Sequence, residues 1–99
     1  MFNNQRYVTK GVQSDVPQYL QTMMWYYIDN MEVEQKDYLQ VFEFKATVIN
    51  GQTMQEMIHH QEQPEYVKEL TFVAENPVTV KVFIIDDKTH STMLLASEY

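Results

Sequence analysis

Cysteine is absent from the chain, which removes disulfides, zinc–thiolate centres and cysteine nucleophiles together. Small exported domains of this length generally lean on such staples, so the composition points to a reducing cytoplasm. Glycine occurs twice and proline three times. With Gly11 and Gly51 far apart, no glycine-rich loop can cradle a phosphate. No stretch approaches ~18 apolar residues, and Met1 to Arg6 has no apolar signal core, so neither a membrane span nor classical export is expected. Positive charge is also scarce: seven basic residues face fourteen acidic ones, for a formal charge of −7. The seven (Arg6, Lys10, Lys36, Lys45, Lys68, Lys81 and Lys88) are scattered singly. Affinity for nucleic acid comes mostly from lysine and arginine neutralising phosphates, so direct DNA or RNA binding is not expected.

What is present suffices for one core. The 99 residues are 44% hydrophobic and 13% aromatic, the composition of a single globular domain spanning 1–99. Arg6 to Lys10 reads as a short first strand broken by Gly11. Ser14-Asp15-Val16-Pro17 reads as a helix start, with capping side chains ahead of a proline suited to a first turn. From there Val16, Leu20, Met23, Met24, Tyr27, Ile28 and Met31 recur at helical spacing and predict one amphipathic helix packed on a sheet.

Residues 38–49 read as a strand apolar on both faces, hence central. Asn50-Gly51 is the strongest short-range hairpin signal. Residues 52–63 fit either a returning strand or a helix, and the turn favours the strand. Tyr66 to Val73 alternates like another strand. Val78, Val80, Val82 and Ile84 line one face of a further strand, whose second half gains Phe83 and Ile85 on the other face and so predicts burial. Ser91 to Ser97 forms the last. The expectation is an α+β fold, β-α-β-β-β-β-β, with one helix across a mostly antiparallel sheet of five to six strands.

Chemistry is harder to find. His59 and His60 are adjacent, so on a strand they point to opposite faces and do not grip one metal. His60 and Glu62 have strand spacing, but two side chains make a poor site. Asp86, Asp87 and His90 form an acidic turn in which a carboxylate beside a histidine could serve acid–base work; aspartates also build turns simply by bonding local backbone. Ser91 and Thr92 lack the glycine-rich elbow of a nucleophile. Glu43 is the odd residue in its apolar strand, either a cavity carboxylate or a wet-side residue. Trp25 falls about 130° from the helix stripe, with Tyr19 and Tyr26 on the opposite flank. They are either helix-edge aromatics or anchors of a contact surface. No cofactor or metal is implied.

Several runs carry a resemblance: Arg6-Tyr7-Val8-Thr9-Lys10-Gly11-Val12, Asp37-Tyr38-Leu39-Gln40-Val41-Phe42-Glu43, Gln61-Glu62-Gln63-Pro64-Glu65-Tyr66, and Asp86-Asp87 through Ser91-Thr92-Met93-Leu94-Leu95-Ala96. Together they resemble domain-of-unknown-function family 960, small acidic proteins of Gram-positive bacteria, over nearly the whole chain. The resemblance implies a bacterial cytoplasmic protein and supplies no activity or site residue. In outline alone, the element order is similar to drug-sensing domains of the gyrase-inhibitor-like class, which enclose a cavity lined by aromatics and a carboxylate.

The sequence therefore predicts a non-enzymatic interaction module that binds itself or another protein, with Tyr19, Trp25 and Tyr26 as its surface. The two long strands around Pro64 offer a pairable edge as well. The alternatives are a small-ligand sensor using Glu43, a small enzyme pairing His90 with Asp86 or Asp87 or His60 with Glu62, and an acidic mimic of nucleic acid.

Overall fold

The first strand, β1 (Gln5–Val8), ends where Thr9 takes a helix N-cap role, its hydroxyl accepting from the Val12 amide at 3.3 Å. The computed structural model describes all 99 residues. A short helix, α1 (Lys10–Asp15), runs straight through Gly11, so that glycine does not break a strand as its composition suggested. It stops at Val16, which is extended (φ −117°, ψ 117°) because the proline that follows disfavours helical backbone before it. The main helix, α2 (Gln18–Asp29), begins after Pro17. The predicted amphipathic helix is thus present as one piece, entered through Ser14-Asp15-Val16-Pro17, and α1 is a second, short helix ahead of it. Gln21 stitches the junction between them, its amide donating to the Val16 carbonyl at 2.8 Å.

Four of the predicted stripe residues, Val16, Leu20, Met24 and Ile28, are fully or almost fully buried. They pack on one face of a six-stranded sheet formed by β1, β2 (Leu39–Ile49), β3 (Gln52–Gln61), β4 (Tyr66–Val73), β5 (Val80–Asp86) and β6 (His90–Leu95). The order across the sheet is β1-β6-β5-β2-β3-β4. Every pairing is antiparallel except β1 with β6, which is parallel. The expected α+β fold with a mostly antiparallel sheet is borne out, as is the strand at 52–61. Asn50 (φ 51°) and Gly51 (φ 79°) both lie in the left-handed region and close the β2–β3 hairpin in two residues, with Ile49 opposite Gln52. This is the backbone a type I′ turn demands.

The core holds 13 residues: with those four stripe residues are Val12 of α1, Phe2 and, from the sheet, Phe42, Phe44, Met57, Val82, Ile84, Met93 and Leu95. All these sheet residues lie on the helix side. The opposite side carries Val41, Phe83, Ile85 and Leu94, which the register sets in adjoining rows. No helix covers it. The burial expected for the second apolar face of β5 is therefore only partial: Phe83 and Ile85 are half-buried by neighbouring side chains alone. The chain closes with a 3₁₀ turn (Ala96–Glu98), and Tyr99 stacks edge-on against Phe83 at 5.5 Å.

Candidate functional site

The strand period fixes which predicted residues can meet. His60 and Glu43 both point to the uncovered face, and their side chains join at 3.0 Å (Nε2 to Oε2). Glu43 is 48% exposed, so it lines no internal cavity. His60 thus partners Glu43 rather than the predicted Glu62, which is exposed in the turn after β3. Around Glu43 lies a shallow groove of about 440 Å³, bordered by Lys45, Glu56, Ile58 and Lys81. A second groove of about 600 Å³ runs between Tyr19 and Met23 of α2 and the end of β4. A more enclosed hollow, beside His60 and Gln61, measures about 80 Å³, well below the few hundred Å³ of ordinary ligand pockets.

The acidic turn separates its two aspartates. Asp86 is nearly enclosed and accepts from the Phe2 amide at 2.6 Å, the Lys88 amide at 2.7 Å and the Asn4 side chain at 3.0 Å. Burial raises its pKa, but these hydrogen bonds outweigh it and hold the carboxyl below its ordinary value. Asp86 thereby pins the N-terminal segment to the end of β5. Asp87 caps the turn: its Oδ1 accepts from the His90 amide at 2.9 Å and from the amide and hydroxyl of Thr89. The His90 amide is the chief reason its pKa lies below normal. His90 Nε2 stands 3.2 Å from Asp87 Oδ2, Nδ1 is 2.9 Å from the Thr89 hydroxyl, and Tyr7 packs edge-on to the ring. Both ring nitrogens are thus engaged locally. His90 pairs with Asp87 and not with Asp86, and the arrangement is that of a turn, as aspartates commonly build.

On α2, Tyr19 and Tyr26 are exposed, Tyr26 by 60%. Trp25 is partly buried at the edge of the helix. It packs against the core cluster, and the Arg6 guanidinium lies over its ring at 4.5 Å. Arg6 in turn pairs with Asp29 and donates to the Phe2 carbonyl at 3.1 Å. Trp25 has partners within its own chain.

Sequence reasoning missed a polar network on the helix side. Gln40 Nε2 donates to Gln61 Oε1 at 2.7 Å and to the Asp37 carbonyl at 2.9 Å, so its Oε1 is the acceptor facing His59 Nε2 at 2.7 Å. His59 therefore carries its proton on Nε2. Its Nδ1 is buried without a partner. The ring stacks on Phe42 with centroids 4.1 Å apart. Burial, then the charges of His60 and Lys68, lowers its pKa from 6.5 to about 4. Gln61 continues the network to the carbonyls of Gln35 and Pro64, tying the loop before β2 to the turn before β4. The signal available was three polar residues, Gln40, His59 and Gln61, at inward strand positions.

The outer side of the sheet has no helix over it. There Val41 is buried and Phe83, Ile85 and Leu94 are half-buried, with Tyr99 edge-on to Phe83 and the Lys81 ammonium 5.8 Å from the same ring. Beyond β3, at the end of the sheet, β4 forms an eight-residue edge paired only to β3. Val67 and Val73 on that edge are 60% and 62% exposed.

The model of a family described as staphylococcal protein of unknown function (DUF960) matches residues 5–98. A solved structure described as a protein of unknown function from Enterococcus faecalis is similar in fold, with a TM-score of 0.69. It shares 24% identity, over 98% of this chain and 92% of that one. No curated protein matches the chain.

Proposed function

This chain belongs to the DUF960 family, and from that premise we propose that it is a non-enzymatic, self-associating interaction module of the bacterial cytoplasm. The observation that carries the reading is the free eight-residue edge of β4, on which Val67 and Val73 are strongly exposed, on a side of the sheet that no helix covers. Soluble domains rarely leave such a surface without a use, and a long free edge is a template for another strand. Charge supports a second copy as partner. Among fourteen acidic residues, only Glu43, Glu56 and Glu69 stand within the strands of this side, answered by Lys45 and Lys81. Two chains of net charge −7 approach each other with least repulsion there. The absence of cysteine supports the cytoplasm.

The helix aromatics take a different place in this reading. Trp25, held under Arg6, stabilises the monomer, and Tyr19 and Tyr26 are bystanders. Light scattering over a concentration series tests both parts. The wild type is expected to approach twice 11.8 kDa. Trp25→Ala is expected to lower stability by about 2 kcal/mol, as truncation of a half-buried aromatic does, and to keep the same mass profile. A wild type that stays monomeric at every concentration overturns the proposal. Loss of association in a folded Trp25→Ala variant moves the surface back to α2.

A further inference from the structure

We propose that β4 pairs antiparallel with β4 of a second copy across a two-fold axis through Leu70, joining the two six-stranded sheets into one. The inference rests on the self-association proposed above and adds the element and the register.

The two edges of the sheet are unequal. β1 offers four residues, whereas β4 offers eight, uninterrupted by proline. Natural edges are usually blunted by short length, proline, bulges or charge. β4 relies only on Lys68 and Glu69, so what matters is where those two charges fall when the strand meets its own copy.

Symmetry limits the choices. A two-fold axis normal to the sheet runs β4 antiparallel to its copy and keeps both helix layers on one side. Directly opposed residues must then share a face, so the axis passes through a residue and not between two. Centred on Lys68, the pairing opposes Lys68 to itself. Centred on Glu69, it opposes Glu69 to itself. Centred on Thr71, it sets Val67 against the partner's Glu75 and Glu69 against the partner's Val73.

Centred on Leu70, no like charges meet within β4; Glu65 and the partner's Glu75 come opposite only beyond the ends of the strand. Glu69 faces the partner's Thr71, and Lys68 lies against the partner's Phe72. Val67 meets the partner's Val73 on the outer side, so both strongly exposed valines are covered twice over. On the helix side Leu70 meets its own copy. Leu70 and Phe72 already pack on the rim of the core, and Lys68 already rides 4.9 Å over the Tyr27 ring. The pairing therefore extends an apolar rim rather than burying a charge.

The absence of native cysteine makes the register readable by cross-linking. Directly opposed residues lie about 4.5–5.5 Å apart between Cα atoms, within disulfide reach. Val67 and its own copy would lie six residues out of register, roughly 20 Å apart at ~3.4 Å per residue. An equimolar mixture of Val67→Cys and Val73→Cys is expected to give a disulfide-linked dimer under mild oxidation, and each variant alone is expected to remain unlinked. Both positions are exposed, so neither change threatens the fold. A dimer by light scattering that cross-links instead through Val67→Cys with Thr71→Cys, or through neither mixture, overturns this register while self-association stands. A monomer by light scattering overturns self-association itself.

Discussion

At the scale of single residues, His59 makes a prediction about pH. Its neutral ring is fixed by Gln40 on Nε2, and its Nδ1 is buried without a partner. Protonating it in the fold would bury a charge. Its pKa is lowered from 6.5 to about 4, so between those values the unfolded chain binds the proton and the folded chain resists it. Stability is complete above about pH 6.5, falls as pH drops towards 4, and loses nothing further from this group below that. At 1.36 kcal/mol per pKa unit the loss reaches about 3 kcal/mol. The Asp86 and Glu98 carboxyls, both held below their ordinary values, add losses only as the pH enters the carboxylate range. Urea titrations from pH 7.5 to 4 are expected to show this decline in the wild type. In His59→Gln, whose amide can still donate to Gln40, the slope between 6.5 and 4 is expected to flatten. An unchanged slope assigns the decline elsewhere. The sequence made half of this visible, since period-two geometry sends His59 and His60 to opposite faces. It did not reveal which face the helices cover, because that depends on contacts distant in the chain.

At the scale of elements, the helical pattern was legible and its punctuation was not. Val16, Leu20, Met24 and Ile28 announced the buried stripe, but the Thr9 cap was overlooked because Gly11 looked like a strand terminator. Gly11 is tolerated in α1 for a tertiary reason. A Cβ there would lie 2.7 Å from the Glu98 carboxylate. That carboxylate accepts from the Thr9 hydroxyl at 2.7 Å and from the Leu95 amide at 2.8 Å, clasping the 3₁₀ turn to the start of α1. Gly11→Ala gains about 1 kcal/mol of helix propensity but displaces a clasp whose two hydrogen bonds contribute about 1 kcal/mol each. The substitution is expected to destabilise the wild type by about 1 kcal/mol. In a Glu98→Ala background the obstruction is gone, and the same change is expected to stabilise. The coupling in this double-mutant cycle, read from urea melts, is the measurement; strict additivity of the two changes would show that Gly11 and Glu98 do not interact.

At the scale of the whole molecule, the strands at 39–49, 52–61 and 66–73 were legible because alternation and the Asn50-Gly51 turn agree. The bare face was not. Apolar residues on both sides of β2 and β5 predict burial on both sides, and only topology shows that one layer of helices covers one side. Salt distinguishes an apolar contact on that side from one made by ion pairs. Each chain carries −7, and two such chains repel over a Debye length of about 30 Å at 0.01 M salt but only about 8 Å at 0.15 M. The Leu70-centred pairing contains no ion pair to be screened. Sedimentation at fixed protein concentration is therefore expected to show the dimer fraction rising as salt is raised through this range. Interfaces built on the opposed charges of Glu43, Lys45, Glu56 and Lys81 would respond in the opposite sense. A dimer that dissociates with added salt would place the contact on that charged groove and away from the β4 edge.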